Sequence, residues 1–313
     1  MASPMPRDPP VTSADATACG AEVGVIPVEY RLVAFVAVIG SGPLGGALVH
    51  TLALRDRIRE IRLIDPHAGS AQGKALDILQ SSPVEGFAAR IEAAQSLYSA
   101  AGADAIVIAD AGASGAEHTG ETGLAIARQV AAVEAAAPLV FAGATQRELI
   151  ARSVGELHVA RTRVLGTAPG ALESALRALA GLAIDASGAD VQLKIVGTPP
   201  RGAVVGWEEA TVSGMPLRSE LAPHAMAALT ARIPDLWPPE PYALASAAAR
   251  VVEGIVNGSR RRFSCFVSID AGPSRNTVIA LPVIVGPQGV VRVLEPGLTR
   301  QERTQMENAI EKG

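Results

Sequence analysis

The sequence predicts an α/β protein, in which a doubly wound parallel sheet is followed by a smaller α+β domain. Short apolar runs without alternation, such as Leu32–Ile39, are typical of strands buried on both faces of a parallel sheet. As far as residue 182 these runs alternate with helical segments, which is the order of a doubly wound sheet with right-handed crossovers. Beyond residue 191 several strands follow one another directly, which favours antiparallel pairing.

The individual elements follow from the same patterns. In the first half we expect strands at Leu32–Ile39, Ile61–Ile64, Arg90–Glu92, Ala105–Ala109, Leu139–Ala142 and Arg163–Gly166, and helices at Gly46–Leu54, Gln72–Gln80, Glu121–Ala136, Gln146–Val154 and Leu172–Leu182. In the second half we expect a strand at Val191–Val196, a hairpin-like segment at Ala203–Gly214, a helix at Tyr242–Val256, strands at Arg261–Ile269, Thr277–Val285 and Val290–Leu294, and a final helix through Lys312 capped by Thr299.

Composition limits the classes of function. The chain has 313 residues, 49% of them hydrophobic, which is enough for two packed domains. Its net charge of −4 indicates neither a nucleic-acid partner nor an anionic membrane surface, and no apolar stretch is long enough to span a bilayer. The two cysteines, Cys19 and Cys265, have no metal-ligand spacing and suit a reducing cytoplasm. We therefore expect a cytoplasmic protein without a metal site.

The stretch from the first strand to Asp65 carries the clearest functional pattern. Gly40-Ser41-Gly42-Pro43-Leu44-Gly45 fits G-x-G-x-x-G between a strand and a helix. Gly40 permits the tight turn, Gly42 lets a pyrophosphate approach the backbone, and Gly45 lets the helix pack close to the strand. Asp65, twenty residues further on, ends the second strand and is suited to bind a ribose and to repel a 2′-phosphate. The pattern predicts a Rossmann domain that binds NAD; the alternative is a tight turn without a ligand.

A resemblance to a known family begins at residues 72–87. There QGKALDILQSSPVEGF, together with the glycine motif and Asp65, resembles malate dehydrogenases of the lactate/malate dehydrogenase family. Further similar segments are Arg163–Gly166, Ser213–Pro216 and Leu281–Gly286. The resemblance implies an NAD-binding domain over residues 32–168, a substrate domain over 169–313, a 2-oxo or 2-hydroxy acid as substrate, and a dimer or tetramer with helix Gln72–Gln80 at an interface. Residues 1–31 lie outside it and are expected to be a disordered tail.

The residues that the family uses for chemistry are largely missing. Its proton-transfer histidine is expected after strand Val191–Val196, where an ungapped count places Pro199. The loop Ala111–Leu124 lacks the two expected arginines, and Gly143-Ala144-Thr145 replaces the expected asparagine. Arg177 is one place from the position of the third substrate arginine. These losses predict a protein that binds NAD(H) and has lost most or all malate–oxaloacetate activity.

Three residues are weak candidates for a catalytic role. Glu173 stands near the family's carboxylate position, His118 lies in the loop that closes over substrate in the family, and Arg201 follows Pro199 and is suited to bind an anion. For His118 and Arg201 the alternative is a solvated residue. Three hypotheses result: a regulatory or scaffolding subunit, alone or with a paralogue; an active NAD-dependent oxidoreductase with a changed substrate; and a structural protein that keeps the fold without ligand.

Overall fold

The computed structural model describes residues 34–271 and 274–312. The predicted tail at 1–31 and the first two residues of the first predicted strand lie outside the described residues. None of the helices that the structure describes has the length and apolar composition needed to cross a bilayer.

The first half forms the predicted parallel sheet flanked by helices. Its elements in chain order are β1 (Phe35–Ile39), α1 (Pro43–Arg55), β2 (Glu60–Ile64), α2 (Ala68–Glu85), β3 (Arg90–Ala94), β4 (Ala105–Ile108), α3 (Gly120–Val133), β5 (Leu139–Phe141), α4 (Arg147–Gly155), β6 (Val164–Gly166) and α5 (Ala168–Ala183). The strand order is β3-β2-β1-β4-β5-β6, and β1 is parallel to both of its neighbours. From β1 the chain winds toward one edge of the sheet as far as β3 and then toward the other edge from β4, so a topological switch point lies between β1 and β4. Open sheets of this kind bind ligands at such a switch point, outside the carboxyl ends of the strands.

The second half adds antiparallel strands to the same sheet. Its elements are β7 (Val191–Gln192), β8 (Ile195–Thr198), β9 (Gly202–Val205), β10 (Thr211–Val212), β11 (Met215–Pro216), α6 (Leu217–Glu220), α7 (Pro223–Ala231), α8 (Pro241–Val256), β12 (Arg262–Ala271), β13 (Ser274–Gly286), β14 (Gly289–Val293) and α9 (Arg300–Lys312). β12 pairs with β6, and β13, β8 and β9 follow it in the sheet. The α/β class with an α+β second half is confirmed, while the division at residues 168 and 169 remains a prediction.

Burial explains why the strands are so apolar. Val36–Ile39 have no exposed surface, because helices cover both faces of the sheet. Phe141 on β5 and Phe266 on β12 are the largest fully buried side chains among the described residues and lie in the main core. A second apolar cluster, including Leu172 and Leu176, packs α5 against the small strands of the second half.

Three parts of the second half differ from the expectation. The strand expected at Val191–Val196 is two strands, β7 and β8, which belong to different sheets. Ala203–Gly214 is not one hairpin, because β9 pairs with β8 whereas β10 pairs with β7 and β11 in a separate sheet. The turn from β10 to β11 is made by Ser213 and Gly214, both with positive φ. The sequence pattern does not predict helices α6 and α7, because they are too short to display a clear helical period, although each buries one leucine in the second cluster.

Helix α2 is longer than the expected Gln72–Gln80. It continues to Glu85 with Pro83 in its last turn, and Gly86, in the left-handed conformation, donates its N–H to the carbonyl of Ser82 at 2.8 Å. This αL ending is common for helices and explains where the element stops.

Candidate functional site

The glycine motif forms the strand-to-helix turn that its sequence predicts. Gly40 has a φ of +105°, and its N–H donates to the carbonyl of Ile64 on the neighbouring strand at 2.8 Å. Pro43 is the first residue of α1, where its fixed φ suits the helix and its missing N–H is not needed. Gly42, at the N-cap position, provides no side chain to satisfy the free N–H groups of the first turn. The start of α1 is therefore an anion-binding position at the switch point.

Asp65 ends β2 beside this turn and is almost completely buried, with 1% of its surface exposed. One carboxylate oxygen accepts from the backbone N–H of Ser41 at 2.9 Å, from its hydroxyl at 3.0 Å and from the N–H of Gly112 at 2.8 Å. The other accepts from the N–H of His67 at 2.9 Å. Burial acts to raise the pKa of Asp65, but these hydrogen bonds outweigh it and the pKa is lowered. Asp65 is a carboxylate held in place by its own chain.

Asp110, which sequence reasoning missed, occupies the start of α1. It follows β4 and is 2% exposed. Its two carboxylate oxygens accept from the backbone N–H groups of Leu44 and Gly45, each at 2.8 Å. Burial raises the pKa of Asp110, while the bonds from Gly45 and Leu44 and the charge of Lys74 act in the opposite direction. The first-turn N–H groups suited to a pyrophosphate are thus bound to an internal carboxylate.

A third carboxylate lies at the end of β5. Glu117 accepts from the backbone N–H groups of Ala144 and Thr145 at 2.8 and 2.7 Å, and from the hydroxyl of Thr145. These residues belong to the turn where the family's asparagine is expected. Gln146 then ties the turn to the neighbouring segment, because its amide donates to the carbonyls of Ala109 and His118 at 2.8 and 3.1 Å.

His118 lies inside this arrangement and is 9% exposed, so it is not the solvated loop residue of the alternative interpretation. Its Nε2 is buried without a hydrogen-bond partner. Burial lowers the pKa of His118, although the charge of Asp65 acts to raise it. The imidazole is consequently neutral near neutral pH.

Glu173 lies elsewhere, on α5. One oxygen accepts from the ammonium of Lys194 at 2.9 Å, and the other accepts from the hydroxyl of Ser264. Both partners line, with Glu173 and Arg177, a cavity of about 850 Å³ that also contacts Arg55. Because Arg55 is the last residue of α1, this cavity lies toward the opposite end of that helix from the glycine turn.

The other expected positions are also separate from the turn. Pro199 is buried at the end of β8 and Arg201 is exposed in the following turn. The guanidinium of Arg177 donates to the carbonyls of Val191 and Ala189 at 2.6 and 3.1 Å. Among the described residues, no group of histidine, cysteine or acidic side chains has the arrangement of a metal site.

The frame of the turn fits a dinucleotide, because a strand, a glycine turn, a helix N-terminus and a strand-end acid stand in the required order. The side chains around the turn fit a dinucleotide less well than its backbone does. The N–H groups of Leu44 and Gly45 already have an anionic partner, and the oxygens of Asp65 accept from three residues of the chain. In this conformation the crevice holds the chain's own carboxylates where the cofactor's phosphates and ribose are expected.

Comparisons with individual known proteins find malate and lactate dehydrogenases, both by sequence and by structure. No profile of a known protein family matches the chain. A malate dehydrogenase of Flavobacterium frigidimaris is 25% identical over 292 residues, covering 86% of this chain and 92% of that protein. An L-lactate dehydrogenase of Geotalea daltonii is 24% identical, covering 88% and 95%.

Solved structures show the same fold. The apo malate dehydrogenase of Picrophilus torridus has a TM-score of 0.77 at 22% identity, and covers 90% of this chain and 95% of its own. The lactate dehydrogenase of Cryptosporidium parvum, complexed with lactic acid and NAD, has a TM-score of 0.79 at 20% identity with the same coverage.

Proposed function

Because this chain is a divergent homologue of the malate and lactate dehydrogenases, we propose that it is an NAD(H)-binding protein with lost or strongly reduced activity on 2-hydroxy acids. In that role it reports or responds to NAD(H), alone or beside an active paralogue. The Gly40–Gly45 turn, the strand-end Asp65 and the relatives' activities support NAD(H) as the ligand. A 2-oxo or 2-hydroxy acid is the second ligand class.

The pairing of Glu173 is the observation that carries the loss of activity. Reduction of a 2-oxo acid by hydride creates an alkoxide that needs a proton, and a histidine held by a carboxylate supplies it in this family. Here the carboxylate of Glu173 is bound to Lys194 and Ser264, and Pro199 occupies the expected place of the histidine. Loss of a general acid typically lowers a rate by roughly 10² to 10⁴.

The remaining substrate residues support the same conclusion. Arg177 donates from Nε and Nη2 of its guanidinium to the backbone carbonyls of Val191 and Ala189, so this edge of the guanidinium is bound to the chain and does not pair with a substrate carboxylate. Glu117 places a negative charge at the β5 turn, where it repels a dicarboxylate. A missing preorganised donor costs roughly another 10² to 10³ in rate.

The test measures turnover and binding separately. Purified full-length protein at high concentration is mixed with NADH and oxaloacetate, then with a panel of 2-oxo acids, while NADH absorbance is followed. We expect no oxidation above that of a buffer blank. Calorimetric titration with NADH at up to millimolar ligand then tests binding. Turnover at a rate comparable to that of an active malate or lactate dehydrogenase assayed in parallel would contradict the loss of activity. Absence of NADH binding, both to this protein and to variants in which Asp110 is replaced, would contradict the cofactor assignment.

A second function is supported by the environment of His118. A buried neutral imidazole with an unpartnered Nε2, close enough to Asp65 to be influenced by its charge, is suited to accept a proton in an active NAD-dependent oxidoreductase with another substrate. If the acid panel reveals turnover, His118→Gln should abolish it, with Arg201→Gln as the comparison at an exposed candidate position. Unchanged turnover in His118→Gln would exclude this role.

We also propose that the protein assembles with itself. Along α2, Gln72, Leu76, Gln80 and Val84 follow one i, i+4 row without a charge, and Leu76 and Val84 are 57% and 86% exposed. Apolar side chains on an exposed helix row are common at subunit interfaces.

A further inference from the structure

We propose that the chain closes its own dinucleotide crevice: Asp110 takes the place of the cofactor's pyrophosphate at the start of α1, and NAD(H) binds only after the segment Asp110–His118 moves away. This inference rests on the proposed function, since it concerns the regulation of the same site. It identifies Asp110 as the residue that sets the affinity for NAD(H).

The first argument is the bonding at α1. A pyrophosphate in a Rossmann turn needs the free N–H groups of the first helical turn. Here the carboxylate of Asp110 accepts from both Leu44 and Gly45 at 2.8 Å, one bond to each oxygen. A bound phosphate would have to displace this anion, because the two negative groups need the same donors and repel each other at short range.

The second argument is space. Gly42 in such a motif lacks a side chain so that a phosphate can approach the backbone. A methyl group added at Gly42 would overlap the carboxylate of Asp110, so the room that this glycine leaves is filled by the chain itself. Gly45 is also close, since an added methyl group would lie 3.3 Å from the same carboxylate.

The third argument is that the same segment covers the ribose position. The N–H of Gly112 donates to Asp65 at 2.8 Å, and a side chain at residue 112 would meet Ser41, Ser70 and Asp65. With 1% of its surface exposed, Asp65 has no open side for a ribose hydroxyl. Further along the same loop, Gly115 lies beside Pro43, because a methyl group added at residue 115 would be 3.3 Å from the proline ring. The adenosine half of the crevice is therefore closed by the residues that follow Asp110.

The fourth argument is that the segment is a small structured unit. Asp110 and Glu117 form an antiparallel bridge, Ala111 donates to the carbonyl of Ala116 at 2.8 Å, and Glu117 binds the β5 turn. Asp110 thus binds the start of α1 and Glu117 binds the β5 turn. Movement of the whole segment has to break the hydrogen bonds of both acids. When only a fraction of molecules is open, the apparent affinity for a ligand falls by that fraction.

The experiment is a titration of full-length protein with NADH, followed by NADH fluorescence and calorimetry. Asp110→Ala frees the N–H groups of Leu44 and Gly45, and Asp110→Asn removes the charge while keeping the shape. We expect NADH to bind Asp110→Ala at least about tenfold more tightly than the original protein. Asp235→Asn, an exposed acid at which the same charge is removed, should leave the affinity unchanged.

The outcomes separate the inference from the function on which it rests. Equal NADH affinity in the original protein and in both Asp110 variants would overturn the closure and leave the proposed function intact. No binding to the original protein or to either folded variant would overturn both. Circular dichroism establishes that each variant is folded, and if Asp110→Ala fails this criterion, Asp110→Asn provides the comparison. Tighter binding in the Asp110 variants alone supports the closure.

Discussion

Gly42 and Asp110 pack so closely that a measurement without any ligand reports on their contact. Gly42→Ala inserts a methyl group into the carboxylate of Asp110, and overpacking of this kind costs about 1–3 kcal/mol of unfolding free energy. In an Asp110→Ala background the obstacle is gone, so the same substitution should cost less, with a coupling energy of about 0.5–3 kcal/mol. The coupling energy is measured in a double-mutant cycle, by urea unfolding of the original protein, Gly42→Ala, Asp110→Ala and the double variant.

Gly73→Ala is the matched control for that cycle. Gly73 lies in α2 with no neighbouring atom near its missing side chain, so alanine should stabilise the protein by about 1 kcal/mol in both backgrounds. Additive effects of Gly42→Ala and Asp110→Ala would show that the carboxylate does not occupy the space beside Gly42.

His118 should make stability depend on pH in a defined window. Its folded pKa is lowered from 6.5, mainly by burial, so the unfolded chain takes up a proton first as the pH falls below 6.5. The stabilising effect of the neutral imidazole is complete above pH 6.5 and is lost as the pH falls through the folded pKa. Urea unfolding at pH 7.5 and 5.5 should therefore reveal a larger loss in the original protein than in His118→Gln.

The comparison of the two proteins isolates His118 from the carboxylates. The lowered pKa of Asp65 places its own contribution below 3.8, outside this window. Equal losses in the original protein and in His118→Gln would mean that the imidazole is not buried in its neutral form.

At the scale of elements, features set by neighbouring residues could be predicted from the sequence. Thr299 caps α9 as expected: its hydroxyl accepts from the N–H of Glu302 at 3.2 Å, and the carboxylate of Glu302 accepts from the N–H of Thr299 at 2.7 Å. The signal is contained in four consecutive residues. The apolar run of β1 and the position of Asp65 at a strand end are equally local, and the structure has both.

Features set by distant pairing could not be predicted in this way. Asp110 lies 65 and 66 positions from the two residues whose N–H groups it accepts, and Glu117 lies 27 and 28 positions from its partners. In the sequence, Asp110 is only an acid after an apolar run, like Asp65. Its one distinguishing signal is that it follows a strand adjacent to the glycine turn, which becomes informative once the strand order is known.

The small strands illustrate the same limit. Residues 203–214 have the turn residues and spacing of a hairpin, but β9 finds its partner in β8 and β10 in β7, so the segment is divided between two sheets. Pairing depends on which apolar faces are available in the folded chain, and no local pattern contains that information.

At the scale of the whole molecule, the uncharged row on α2 predicts association through that helix. In a twofold interface each residue of the row is buried twice, and burying a leucine or valine side chain contributes about 1.5–3 kcal/mol. Leu76→Asp combined with Val84→Asp should therefore convert a dimer or tetramer to a smaller species in size-exclusion chromatography with light scattering. The subunit should keep its fold, as followed by far-UV circular dichroism, because both side chains are exposed in the single chain.

Val291→Asp is the control for this prediction. Val291 on β14 is 67% exposed, a degree comparable to Leu76, and it does not lie on α2. Its substitution should leave the mass unchanged, so that a general effect of an added surface charge is separated from loss of the α2 contact. A monomeric original protein, or an unchanged mass in the α2 variant, would contradict assembly through this helix. If the mass falls only in the α2 variant, NADH titration of that variant then asks whether the closed crevice depends on the neighbouring subunit.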